Sequence, residues 1–576
     1  MKHSGGMPWL PLADPAMVRL LPLGGLGEIG LNLMAIESQG AILLVDCGLM
    51  FPDATMLGID LVLPDVSILA TRPGDICGLL LTHGHEDHIG AIPYLLDRLG
   101  YPIVYGTELT LGLLRGKLAE HTFNQKVELA TIAPRQTLEL GPFQVEPFRV
   151  THSVADGVGF AIRTSAGLIV HTGDFKLDAT PIDGEMTDLA RLAAYGEAGV
   201  LALLSDSTNV ERPGHTLSER RVGEALRQRL PACTGTVLVA SFSSNIHRIQ
   251  QVFDAARQVG RKVLINGRSM AQSVAISRQL GYLFAPDDLF IEVRDLRELP
   301  REQVLILSTG SQGEPRSSLV RIATDDHKDI FLQRGDTVIL SSRFIPGNEK
   351  TIAEMINHLF RRGADVWYEG ANGMHVSGHA SQEELTQIIA LTRPRYFVPV
   401  HGDYRHLVRH AQLAAGLGIA DLEAIVIDNG QPLLLSANGF RREERLHSGR
   451  IYVDGKGVGD LGALEFRDRR HLASHGVVAV YLTRAKDGSI MAGPELLTRG
   501  FVGEAGSQPY LAVAAEIVRD IVAKQPGGGE TALVDLHVEI RNGLRRYFNR
   551  TMARRPVILP LITVQAEEGR TEDDVN

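Results

Sequence analysis

Three patterns of apolar and polar positions succeed one another along the chain. Toward the N-terminus apolar residues come in short runs at 18–23, 32–37, 41–45 and 76–81, followed by an alternating run over 143–150. Runs this short fit β-strands, and the Ser38-Gln39-Gly40 interruption predicts a hairpin. The second pattern alternates strand-length runs at 237–240, 262–265, 304–307 and 337–340 with helical periodicity at 246–259, 269–280 and 350–362. That order predicts a parallel α/β sheet, whose ligand-binding groups gather at the carboxyl ends of its strands. After a polar stretch at 438–448 comes a third pattern, a strand at 477–482, helices at 509–524 and 532–549 and a last strand at 557–562. This reads as a small α+β unit. The charged tail 567–576 predicts disorder, and no internal repeats appear.

The candidate chemistry sits where the strands end. Thr82-His83-Gly84-His85-Glu86-Asp87-His88 places three histidines and Asp87 on one turn after the 76–81 strand. Neutral imidazoles and carboxylates suit zinc or manganese, and alternating positions serve two adjacent ions better than one. His152 follows the 143–150 strand, Asp174 follows a run at 168–171, His401 follows one at 398–400, and Asp46 closes 41–45. A single His or Asp at a strand end is more often structural; together with the 83–88 turn these make a ligand set. Two metals side by side can activate a water and clamp the oxygens of a phosphodiester. No convincing Ser-His-Asp or Cys-His arrangement supplies a side-chain nucleophile instead. Gly25-Leu26-Gly27-Glu28-Ile29-Gly30 has the form of a dinucleotide-binding fingerprint, but that motif needs a helix directly after the glycines. The hairpin pattern found there argues against such a cofactor.

The 227 positions from Asp174 to His401 exceed what one strand–helix unit needs, so the α/β run reads as an inserted domain. One of its strands leads into Ser241-Phe242-Ser243-Ser244-Asn245-Ile246-His247-Arg248. Hydroxyls and an amide opening a helix suit a phosphate, or ordinary N-capping by Ser243 or Ser244. The Gly-rich stretches 307–313 and 373–380 allow the same two readings.

The order Asp46, His83-x-His85-x-Asp87-His88, His152, Asp174, His401 resembles the motif series of the metallo-β-lactamase fold. Ser205-Asp206-Ser207-Thr208-Asn209, Ser377-Gly378-His379-Ala380 and Pro399-Val400-His401-Gly402-Asp403 are similar to motifs A, B and C of the β-CASP nucleases, specifically the ribonuclease J family. The resemblance runs over roughly residues 18–560 without departure at a motif position. Histidine at 401 is similar to the RNA-acting members; DNA-repair members typically carry valine there. The resemblance implies an α/β protein: an αββα metallo-β-lactamase sandwich (1–208 and 373–440), an inserted parallel β-CASP domain (209–372), a small α+β C-terminal domain (449–562) and a tail (563–576).

It also implies site roles. One metal would take His83, His85 and His152, the second Asp87, His88 and His401, with Asp174 bridging. The ions would be two Zn2+, or Mn2+ or Mg2+, per subunit. Asp46 would orient a ligand histidine, His379 would act as general acid or phosphate contact, and Asp206 would hold a neighbouring histidine. Ser243, Ser244 and Asn245 with His375, Val376, Ser377, Gly378 and His379 would form a pocket for a 5′-terminal phosphate. Gly58, Asp60 and Asp454 resemble segments that hold a calcium ion in some members, with two ordinary turn aspartates as the equal reading. The implied activity is a 5′→3′ exonuclease on single-stranded, 5′-monophosphorylated RNA that also cuts internally, in rRNA maturation and mRNA processing and decay. The C-terminal domain would join subunits into a homodimer or homotetramer. A lactonase-like hydrolase on the same metals and a non-catalytic RNA-binding scaffold are the alternatives.

Composition changes this picture at one point. At 576 residues and 44% hydrophobic the chain can bury several cores, but its net charge of −10 is unexpected for a protein that grips a polyanion. A narrow basic channel, with the metals' own charge, reconciles the two. Arg541, Arg545, Arg546, Arg550, Arg554 and Arg555 form a basic stretch, as much a solvated face or dimer seam as an RNA contact. Cys47, Cys77 and Cys233 have no paired spacing, against both a disulfide framework and a cysteine zinc site. No apolar run approaches the ~20 residues of a membrane span, and residues 1–15 lack the core of a signal peptide. A cytoplasmic protein with no membrane partner is expected.

Overall fold

The computed structural model describes residues 9–12, 14–53, 55–314, 317–344, 348–368, 373–455, 457–459, 462–485, 487–525 and 530–564. The tail read as disordered lies outside the described residues, as do residues 1–8. Two sheets stack face to face. The first has eight strands, ordered Gly439–Arg442, Leu433–Ser436, Val18–Gly24, Leu33–Ser38, Ala41–Val45, Ile76–Leu80, Val104–Gly106 and Leu129–Thr131. The second has seven, ordered Glu423–Ala424, Tyr396–Val400, Val200–Asp206, Gly167–His171, Val158–Thr164, Phe143–Arg149 and Leu138–Leu140. Leu20, Ile36 and Leu43 of one meet Phe143, Phe160, Ile169 and Val398 of the other in a single buried cluster. Helices cover both outer faces: Leu111 and Leu114 pack on the first sheet, and Leu192, Tyr195, Leu385 and Ile388 on the second. The result is an αββα sandwich.

The expected hairpin at the N-terminal glycines is present. Leu33–Ser38 and Ala41–Val45 pair antiparallel, and Gln39 and Gly40 turn between them at φ 49° and 81°. Two left-handed residues suit the twist of a tight hairpin. More important for the site, Ala41–Val45 runs parallel to Ile76–Leu80, and Gly167–His171, Val200–Asp206 and Tyr396–Val400 run parallel to one another. Their carboxyl ends therefore fall along one rim of the sandwich.

The inserted region is a six-stranded, all-parallel sheet, ordered Phe290–Ile291, Lys262–Asn266, Val304–Ser308, Val237–Ala240, Thr337–Leu340 and Asp365–Trp367. Its main strands and helices appear within a residue of their predicted limits. The helix Ser318–Ala323 and the edge strands 290–291 and 365–367 are too short to show a period in sequence. The chain lays down Val237–Ala240 first, places Lys262–Asn266 and Phe290–Ile291 on one side, returns to insert Val304–Ser308 beside the first strand, then crosses to the other side. Such a reversal opens a crevice at the carboxyl end of the central strand. The insert touches the sandwich through helix Arg268–Gln279: Gly112 and Gly116 lie against Leu280, Ile276 and Gln272, and the Tyr282 hydroxyl donates to Asp156 at 2.8 Å.

A second compact unit comprises Ala54–Ile59 and Gly459–Asn576. It holds a three-stranded sheet, ordered Ile490–Arg499, Val477–Arg484 and Val557–Val564, with Val518, Val522, Leu536, Ile540, Leu544 and Phe548 of two long helices packed on it. The arginines at 541, 545, 546, 550, 554 and 555 all lie exposed. Strand Arg450–Asp454 pairs antiparallel with Leu61–Pro64, which places it in the first unit although the polar stretch before it reads as a boundary. Among the described residues no helix is long and apolar enough to cross a membrane.

Candidate metal centre and phosphate pocket

Each ligand candidate leaves the end of a sandwich strand, and the parallel pairing brings them together. His83, His85, His152 and Asp174 form one group whose ligand atoms lie within 4.8 Å of one another, and Asp87, His88, Asp174 and His401 form a second. Asp174 belongs to both. His85 Nδ1 stands 2.9 Å from His83 Nε2 and 3.2 Å from His152 Nε2. In the second group His88 Nε2 is 3.2 Å from Asp174 Oδ2 and 3.6 Å from Asp87 Oδ2, and His401 Nε2 is 3.4 Å from Asp87 Oδ2. Asp46 and His401 adopt φ of 60° and 54°, a left-handed backbone that turns the chain sharply where each strand ends.

Groups behind the ligands fix their orientation. Asp46 Oδ2 lies 2.8 Å from His88 Nδ1, and Asp46 Oδ1 accepts the Thr82 amide at 2.8 Å. His152 turns its Nδ1 to the Gly378 carbonyl at 2.7 Å. Any Cβ on Gly378 would fall 2.7 Å from the His152 ring, so a glycine is required there. Asp206 Oδ2 lies 2.7 Å from His379 Nδ1, while Thr208 donates to Asp206 Oδ1 through both its amide and its hydroxyl. Ligand histidines backed by a carboxylate or carbonyl on the second ring nitrogen are held in one tautomer and one orientation.

The electrostatics show what the centre lacks. Burial, then the neighbouring histidines, hold His83 and His152 well below the ordinary histidine range. Burial brings His85 to about 4. These three rings are therefore held neutral, the form in which an imidazole nitrogen ligates a divalent ion. Burial also opposes charge on His88 and His401, yet Asp174 outweighs it and holds both well above the usual range. His401 meets a carboxylate at each ring nitrogen, Asp174 Oδ1 at 2.7 Å from Nδ1 and Asp87 Oδ2 at 3.4 Å from Nε2. Imidazole and carboxylate donors at this spacing fit divalent ions such as zinc.

The crevice of the inserted sheet carries opposite charge. Arg248, fully buried, donates to Glu219 at 2.8 Å, to the Ser341 carbonyl at 2.8 Å and to the Met374 carbonyl at 3.2 Å. It thereby ties the first turn of helix Ile246–Gln258 to the segment 373–380. Both ring nitrogens of His375 are buried without a hydrogen bond. Burial, then the positive charges of Arg248, Arg343, Arg212 and Lys176, push its pKa well down. Asn245 proves to be the helix cap, its Oδ1 accepting the Arg248 amide at 3.0 Å, with Ser243 and Ser244 half-buried just before it. Ser377 Oγ accepts from Asn209, and Val376 is buried in the apolar core. Ser241 also sits here, with its buried hydroxyl unpartnered.

The sequence reading named the ligands and the 375–379 segment but assigned no role to Arg248, Arg343, Asn209 or Lys176. The available signal was weak: Arg248 closes the hydroxyl-rich turn and Asn209 closes motif A. Asp60 and Asp454 lie on neighbouring segments, where Asp60 Oδ2 accepts the Gly455 amide at 2.8 Å. Gly58 falls in the second unit.

This sandwich and its ligand set define a metallo-hydrolase of the metallo-β-lactamase fold. Models of four families match successive parts of the chain: the metallo-β-lactamase superfamily at 27–196, the ribonuclease J β-CASP domain at 234–359, the Zn-dependent metallo-hydrolase RNA specificity domain at 371–425 and the ribonuclease J C-terminal domain at 464–564. The chain belongs to the ribonuclease J family. It is 41% identical to ribonuclease J2 of Bacillus subtilis, over 95% of this chain and 98% of that one. It is 42% identical to ribonuclease J of Thermus thermophilus, over 95% of each chain. A solved structure of a protein of unknown function from Enterococcus faecalis shares the fold, with a TM-score of 0.51 at 18% identity over 73% of this chain and all of that one.

Proposed function

We propose that this metal-dependent ribonuclease removes nucleotides from the 5′ end of RNA, reading a 5′-monophosphate in the crevice of the inserted sheet. The observation that carries the reading is His375. It is a half-buried imidazole whose two ring nitrogens are buried and unpartnered, among four cationic side chains and beside a helix N-terminus. Such a site is incomplete until an anion arrives. His375 and His379 stand four residues apart, a reach of at most roughly 13 Å of chain. A terminal phosphate held at His375 therefore sets the first linkage, rather than a remote one, over the ligand groups.

Two divalent ions, held by His83, His85 and His152 and by Asp87, His88 and His401 with Asp174 shared, would activate water and clamp the oxygens of the scissile phosphodiester. The chain's own groups do the rest. Asp46 and the Gly378 carbonyl keep His88 and His152 aimed. Asp206 accepts from His379 Nδ1, so that a protonated His379 presents its Nε2–H to the leaving 3′ oxygen. The positive side chains around His375, with Arg343 half-buried and Arg212 exposed, give a chain of net charge −10 a local attraction for RNA.

The test compares one oligoribonucleotide with a 5′-monophosphate or a 5′-hydroxyl, labelled at its first nucleotide, with zinc or manganese and with chelator. Metal-dependent release of labelled mononucleotide, faster from the monophosphate, is expected. Equal rates from both ends would overturn the pocket, and labelled fragments alone would mean internal cutting.

A further inference from the structure

We infer that Asn209 is a positioning residue that couples occupation of the 5′-phosphate pocket to the placement of His379, with Arg343 as its contact on the pocket side. The inference rests on the pocket reading above and adds how the two sites communicate.

Asn209 is 1% exposed and follows strand Val200–Asp206 by three positions. All of its amide hydrogen-bonding groups are engaged on two sides. Nδ2 donates to Ser377 Oγ at 2.7 Å and to the His379 carbonyl at 2.9 Å, while Oδ1 accepts from Arg343 Nη1 at 2.6 Å. Ser377 Oγ in turn accepts the His379 amide at 3.2 Å. The backbone of His379 is thus held at its carbonyl by Asn209 directly and at its N–H through Ser377, while Asp206 holds its ring. The same short segment, 206–209, fixes both.

Arg343 follows strand Thr337–Leu340, and its carbonyl accepts from Gln312 Nε2 at 2.8 Å. Its charge is one of those that bear on His375. An anion beside His375 draws on that guanidinium. Because the amide of Asn209 is planar and engaged at both ends, a shift of its oxygen is a shift of its nitrogen. The pull is then delivered to Ser377 and to the carbonyl of His379. A hydrogen bond to a charged donor is stronger than a neutral one and more able to carry such a load.

The experiment uses the full-length, metal-loaded protein and measures kcat and KM on 5′-monophosphate and 5′-hydroxyl forms of one RNA. Asn209→Asp keeps the oxygen facing Arg343 and removes both donors; Arg343→Met removes the pocket side and leaves Asn209 in place. In both variants the advantage in kcat conferred by the 5′-phosphate should shrink by roughly tenfold, the scale of one buried hydrogen bond. Asn209→Asp should keep the KM advantage, since its pocket still binds. The double variant should be no worse than either single one, and Arg343→Lys should restore part of the loss. An equal fall in kcat on both substrates, or an unchanged ratio, would show a merely structural role and sink the coupling. A wild-type enzyme indifferent to the 5′ group would remove the pocket reading first. Elemental analysis for metal and thermal unfolding establish that each variant is folded and loaded; if Asn209→Asp fails there, Arg343→Met decides alone, because its side chain is less buried.

Discussion

The sandwich and the inserted sheet use one topological device with opposite charge. Both end parallel, buried strands in polar side chains. At the sandwich rim those ends deliver imidazoles and carboxylates, a donor set that suits divalent cations. At the inserted crevice they deliver Ser241 and, with the first helical turn, Arg248 and Arg343, whose charges crowd His375 until an anion joins them. The segment 373–380 touches both, through Met374 on Arg248 and Gly378 on His152. Under the proposed function, divalent ions complete the first site and the terminal phosphate of RNA completes the second. Net charge of the whole chain therefore says little about which ligand it takes.

The sharpest way to break the comparison is to remove the group the two metal positions share. Asp174→Ala should lower kcat by about a thousandfold, corresponding to about 4 kcal/mol of lost transition-state stabilisation. Elemental analysis should show bound metal falling with it; full metal content with full activity would remove Asp174 from the centre.

The matching change in the crevice acts on stability. Arg248→Met leaves Glu219 buried without its partner, which should destabilise the protein by about 3–5 kcal/mol. Thermal unfolding reads this, and Arg248→Met with Glu219→Gln should recover part of the loss. If the single variant unfolds like wild type, the buried pair is not what ties the helix to segment 373–380.

A milder change separates holding a ligand from being one. Asp46→Asn keeps the shape but weakens the grip on His88 Nδ1. Metal affinity should fall by roughly 10–100-fold, measured by competition with a chelator, while saturating metal restores most of the activity. An unaltered affinity would mean that Asp46 serves the Thr82 turn alone.

How much of this was legible in the chain depends on distance along it. His83, His85, Asp87 and His88 declare themselves because their spacing is local and the preceding strand is apolar. His152, Asp174 and His401 are legible as residues at strand ends, but which of them meet depends on strand order. Arg248 and Glu219 look like ordinary helix charges, 29 positions apart, and nothing in their neighbourhood reports that both are buried. Asn209 and Arg343 are 134 positions apart and meet only because the insert folds back over motif A. Strand Arg450–Asp454 was obscured differently, since its partner Leu61–Pro64 lies far upstream across a polar boundary.

The amino-acid pattern by itself determined the element types, the inserted position of the parallel sheet and the identity of the metal-ligand candidates, which follow from periodicity and local spacing. The family was legible through the resemblance of its motif series. The resemblance implied that Asp174 is shared; only the tertiary structure decided which histidine each orienting group holds, and the unsatisfied, positively surrounded His375. Burial and hydrogen-bond satisfaction belong to the packed chain, and no stretch of sequence contains them.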